Sequence, residues 1–125
     1  MAERYPDNAL AHLGLGNCFK NNGLPDKAAT EYKMAIQLNP GLVDAHNNLG
    51  VLLGGARRYK EALVHFEEAI HQDPQYVQAY DNLAVTYARL GNWDEARKIW
   101  EQALTINPGF IAAQTNLKKL KALGH

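Results

Sequence analysis

Ala62, Phe66, Ala69 and Ile70 stand at i, i+4, i+7 and i+8, an apolar stripe along one side of a helix, with the acids Glu67 and Glu68 on its solvated side. The stripe recurs 34 residues away in both directions, as Ala28, Tyr32, Ala35 and Ile36 and as Ala96, Trp100, Ala103 and Leu104. A second apolar pattern precedes each stripe. Leu15-Gly16, Leu49-Gly50 and Leu83-Ala84 fall in register, followed one turn later by Phe19, Leu53 and Tyr87. Pro6, Pro40, Pro74 and Pro108 punctuate the chain at the same interval. A period of this size is the mark of one supersecondary unit stacked on itself. The spacing predicts helices near residues 9–22, 25–38, 43–56, 59–72, 77–90, 93–106 and 111–123.

The breaks between stripes are chemically consistent with this reading. Asn22-Gly23-Leu24-Pro25 supplies a helix-ending glycine and a proline suited to the first turn of the next helix. Asn92 with Glu95 three residues on predicts a relative of the capping box. The repeated prolines lack an amide donor and end each second helix. Arg57 replaces the turn glycine of the neighbouring units, with Gly54-Gly55 just upstream, so a shifted helix end is expected there. Gly16, Gly50 and Ala84 are expected to meet Ala28, Ala62 and Ala96 where paired helices approach most closely, with the aromatics filling space beyond. Cys18 is in register with Leu52 and Leu120, which predicts a buried core thiol.

These residues closely resemble the tetratricopeptide repeat, a helix–turn–helix unit of the same length. The resemblance covers three repeats, 9–42, 43–76 and 77–110, plus a helix at 111–123, and implies an all-α, right-handed superhelical solenoid forming a single domain over 1–125. His12 and His46 stand where the family often places Trp or Tyr, as Tyr80 does. In the last helix, Ala113, Leu117, Leu120 and Leu123 keep one apolar stripe. Gln114, Lys118 and Lys121 replace the residues that would contact a following helix, as expected of a solubilising cap. Pro6-Asp7-Asn8 is in phase with Pro40-Gly41-Leu42, so residues 1–8 read as the remnant of a preceding repeat.

The resemblance further implies that the first helices of successive repeats line a concave groove for a partner peptide or helix. Carried onto this chain, the groove residues are Asn17, Asp44, Asn47, Asn48, Val51, Gln78, Asp81, Asn82, Arg89 and Asn116. Asn48, Asn82 and Asn116 recur at 34-residue intervals, similar to the asparagine ladder in the repeat array of the O-linked N-acetylglucosamine transferase. A carboxamide pairs with a peptide N–H or C=O regardless of sequence, and it equally well bridges repeats; both readings stand at this point. Asn17 and Asn48 also match the carboxylate clamp of heat-shock chaperone adaptors. Leu13, Gln78 and Asn82 occupy the places of that clamp's two lysines and arginine, so a chaperone-tail clamp is not expected.

Composition narrows the function classes. Thirteen Lys plus Arg balance thirteen Asp plus Glu, leaving no global field for nucleic acid or anionic lipid. There is no apolar run of membrane-spanning length and no signal-peptide stretch, and the single cysteine cannot close an internal disulfide, which fits a reducing, cytoplasmic setting. His12, His46, His65 and His71 lack metal-ligand spacing, and no catalytic motif or cofactor loop is present. The expectation is a non-enzymatic scaffold for a protein or peptide partner. The alternatives are self-assembly through the N-terminal edge, or a substrate-docking segment of a larger enzyme such as a glycosyltransferase.

Overall fold

The computed structural model describes residues 5–125, with side chains from residue 8 onward. Seven helices follow one another: α1 (Tyr5–Asn21), α2 (Pro25–Leu38), α3 (Val43–Gly55), α4 (Tyr59–Gln72), α5 (Val77–Arg89), α6 (Trp93–Ile106) and α7 (Ile111–Ala122). Each packs on the next, and α3 also meets α5, while no strand occurs among the described residues. Helix α1 begins at Tyr5, a turn earlier than the pattern predicts. Pro6 does not stop it, because the first turn of a helix has no use for an amide donor and the ring presets φ. Residues 1–4 of the expected remnant lie outside the described residues.

The odd-numbered helices end alike. After α1, the Leu24 amide donates to the Phe19 carbonyl at 2.9 Å and the Gly23 amide to Lys20 at 3.1 Å. Arg58 to Leu53 and Arg57 to Gly54 repeat the pair after α3, and Asn92 to Tyr87 with Gly91 to Ala88 after α5. This double closure places the residue after the cap in the left-handed region, at φ 73° for Gly23 and 79° for Gly91. Arg57 adopts φ 64° in the same place. The expected shift of the helix end into Gly54-Gly55 does not occur; the Schellman closure outweighs the Cβ penalty.

The even-numbered helices stop two residues before the repeated prolines. Asn39, Asp73 and Asn107 take extended backbone, as a pre-proline residue must, and their side-chain oxygens each accept the amide two residues on at 3.1 Å. Asn92 makes no side-chain cap bond, so the predicted capping box is absent.

The core runs the length of the stack through Tyr32, Leu49, Phe66, Leu83, Trp100 and Leu120. Gly16 and Gly50 meet the aromatics directly, where the sequence reading placed the rings in the space beyond the small residues. A Cβ on Gly16 would sit 2.5 Å from the Tyr32 ring, and one on Gly50 2.6 Å from Phe66. Cys18 is exposed rather than buried. Its counterpart Leu52 packs toward α2, and no described helix lies on that side of α1. In α7, Ala113 and Leu120 are buried as expected, but Leu123 falls after the helix and remains 68% exposed.

Candidate functional site

The loops before α3, α5 and α7 are each tied down by one recurring bond. His46 Nε2 lies 2.9 Å from the Pro40 carbonyl, the Tyr80 hydroxyl donates to Pro74 at 2.8 Å, and Gln114 Nε2 donates to Pro108 at 2.8 Å. Three unlike side chains share one task, which explains why His and Gln are tolerated at a position that otherwise carries an aromatic. Holding the entry loops in this way fixes the register of α3, α5 and α7 against one another.

On the face formed by the odd-numbered helices, the three periodic asparagines each reach back to the preceding repeat. Asn48 Nδ2 donates to Asn17 Oδ1 at 3.0 Å, Asn82 to Asn47 Oδ1 at 2.9 Å and Asn116 to Asp81 Oδ1 at 2.9 Å. Two acceptors are shared with an aromatic of the second helix: Tyr32 donates its hydroxyl to Asn17 Oδ1 at 2.6 Å, and Trp100 its indole N–H to Asp81 Oδ1 at 2.8 Å. Phe66 has no such donor. In that repeat the Tyr76 hydroxyl instead donates to Asp44 Oδ1 at 3.3 Å and lies 3.5 Å from Asn47 Nδ2. Burial foremost, then the Asp44 carboxylate, pushes the Tyr76 hydroxyl above its ordinary pKa and keeps it a donor. Burial likewise raises Tyr32.

The first repeat departs from the pattern. Gly14 and Leu13 occupy the places of the ladder asparagine and its acceptor, so Asn17, one turn farther on, serves Asn48. Every rung thus links one repeat to the next, and the bridging use of the asparagines is realised. Among the described residues no donor reaches the Oδ1 atoms of Asn48, Asn82 and Asn116.

Two adjoining clefts open on this face. One, of about 350 Å³, lies between α3 and α5 and is lined by Val51, Gly54, Asn82, Val85, Arg89 and the turn residue Arg57. The other, of about 310 Å³, lies between α5 and α7, with Val85, Ala88, Trp93, Asn116, Lys119 and Arg89 in its wall. Val85 and Arg89 belong to both, so the two form one trough. Of the predicted groove residues, the trough brings together Val51, Asn82, Arg89 and Asn116. Asn47 is buried at 4% exposure, Asn17 and Asp81 are taken up as acceptors, and Asp44 holds Tyr76. Gln78 is exposed outside both clefts. Sequence reasoning missed Arg57 and Trp93 as trough residues. Arg57 was marked by its substitution for a turn glycine, but a turn position does not reveal which face its side chain joins.

Comparison with known proteins turns this geometry into a family assignment. Tetratricopeptide repeat profiles match residues 55–122 and 2–43. The chain belongs to the tetratricopeptide repeat family. Its three helix pairs and closing helix form the all-α, right-handed superhelical solenoid of that family. The crystal structure of MamA superposes with a TM-score of 0.87 at 28% identity, over 95% of this chain and 70% of that one. The second tetratricopeptide domain of human RPAP3, solved in complex with the HSP70 peptide SGPTIEEVD, superposes at 0.87 with 26% identity, over 93% and 98%. Among curated proteins, Protein O-mannosyl-transferase F38B6.6 of Caenorhabditis elegans is 37% identical over 57 residues, 46% of this chain and 8% of that protein. The chain therefore spans less than a tenth of that relative's length. As a member of this family it is a protein-interaction scaffold. No helix among the described residues is long and apolar enough to cross a membrane.

Proposed function

We propose that this tetratricopeptide array is a non-enzymatic module that holds an extended segment of a protein partner in the trough along α3, α5 and α7. The observation that carries this reading is the orientation of the three periodic carboxamides. Each spends its N–H on the neighbouring repeat, and among the described residues no donor meets its carbonyl oxygen. Those of Asn82 and Asn116 belong to residues that line the two clefts, beside an apolar floor containing Val51 and Val85. They accept from peptide N–H groups independently of sequence, while the floor takes apolar side chains. A related domain carrying a bound peptide supports the same mode of use. The chaperone-tail clamp does not transfer, because Leu13, Gln78 and Asn82 replace its basic residues.

The test is a phage-displayed library of random decapeptides selected on the intact chain. Selected peptides should lose binding to an Asn82→Ala/Asn116→Ala variant by at least tenfold per folded molecule, with folding checked by circular dichroism. Peptides that bind the variant as well as the parent would sink the groove reading.

A second reading rests on a separate observation. Leu10 and Leu15 of α1 are 57% and 47% exposed, and Met34 and Leu38 of α2 are exposed as well. This apolar end supports self-association through the α1–α2 edge. Static light scattering across a concentration series decides it: a constant monomer mass up to high protein concentration rules the edge contact out.

A further inference from the structure

The trough is electrically lopsided. Arg57 and Arg89 stand in the cleft between α3 and α5, and Arg89 and Lys119 in the one between α5 and α7. Among the described residues no acidic side chain lines either cleft. The three ion pairs among the described residues, His12–Glu31, Arg58–Glu61 and Arg97–Asp94, leave all three cations without an internal counter-charge. The chain as a whole is neutral, so this is a local concentration of charge rather than a share of a general excess. The carboxylates on the same helices lie in their earlier turns and are already engaged, Asp44 by Tyr76 and Asp81 by Asn116 and Trp100.

Arg89 and Lys119 sit in the last turns of α5 and α7, where a cation also suits the helix dipole. That explanation does not reach Arg57. It lies beyond the end of α3 at φ 64°, where Gly23 and Gly91 stand in the neighbouring repeats and where a side chain is strained. A residue kept against its own backbone preference, beside a cleft, points to a use for its side chain.

Building on the groove reading above, we propose that the trough selects acidic segments. Arg57, Arg89 and Lys119 pair with partner carboxylates, while one apolar partner side chain enters the floor made by Val85, Ala88 and Trp93. Guanidinium groups bind carboxylates bidentately, so the arginines contribute direction as well as charge. The specificity lies at positions different from those of the chaperone-tail clamp, and it needs no free C-terminus.

The same decapeptide selection tests this, with the composition of the selected sequences as the first readout. Selected peptides should carry at least two more Asp or Glu than the input library. They should lose about tenfold in affinity with Arg57→Gly and again with Arg89→Gln, and weaken steeply between about 50 and 300 mM salt. Arg57→Gly removes backbone strain and Arg89 is exposed, so both variants fold, with thermal melts as the check. Selected peptides that depend on Asn82 and Asn116 yet show no acidic enrichment would overturn the charge selection and leave the groove reading standing. Peptides indifferent to every one of these substitutions, or no selected peptides at all, would overturn both.

Discussion

Arg57 sets two properties of this chain against each other. A left-handed conformation costs a residue with a Cβ about 1–2 kcal/mol, and glycine removes that cost at the loss of the side chain. Arg57→Gly is therefore expected to raise stability by about 1 kcal/mol in urea denaturation while weakening capture of acidic peptides; a variant that loses both would show that the strain reading is wrong. The helix glycines divide in the same way, by what stands over them. Gly14 has nothing within 4 Å of a built Cβ, so Gly14→Ala should stabilise α1 by about 0.5–1 kcal/mol. Gly50 lies under the buried Phe66 ring, and Gly50→Ala should cost about 1–3 kcal/mol on the same assay. The sequence shows that positions 16, 50 and 84 must be small. It does not show that the ring, rather than the alanine, is the reason, because that depends on the rotamer the aromatic adopts.

Between elements, the pairing of α3 with α4 includes a proton-sensitive contact. His46 Nε2 faces the Pro40 carbonyl and must carry a hydrogen, which leaves Nδ1 as the acceptor for His65 Nδ1–H at 3.2 Å. Burial foremost, then the neighbouring His46 and Lys33, holds His65 below its ordinary value of 6.5, although Glu61 and Glu68 pull the other way. The unfolded chain thus binds this proton more readily than the folded one. The contribution is complete above about pH 6.5 and declines as the pH falls below it. Denaturation midpoints at pH 7.5, 6 and 5 should fall in that order, and His65→Gln should flatten the trend. The loop ties make a simpler case: Tyr80→Phe removes the bond to Pro74 and should cost about 1 kcal/mol without altering helix content by circular dichroism. Helix positions were legible because apolar spacing determines them; the ties were not, since His, Tyr and Gln share no sequence signal.

Across the whole molecule, packing is almost entirely between consecutive helices, so stability accumulates repeat by repeat and the ends matter most. Helix α7 covers the third repeat through Ala113 and Leu120 and supplies the last rung through Asn116. A chain ending at Pro108 should lose several kcal/mol, given about 1.5–3 kcal/mol for a buried leucine, and should bring Trp100 toward solvent, read as a red shift in its fluorescence. The stacking of helix pairs was legible from the period, and the right-handed superhelix from the family resemblance of the repeated residues. The trough was legible only in part, because Val51, Asn82, Arg89 and Asn116 follow the repeat register, whereas Arg57 and Trp93 enter from the turns between helices. The rungs from Asn48, Asn82 and Asn116 all lie along the same face as that trough. They tie successive repeats together along one side of the stack. A segment bound across two of them, as proposed, would fix the angle between repeats as well as its own position, coupling the width of the trough to the curvature of the stack.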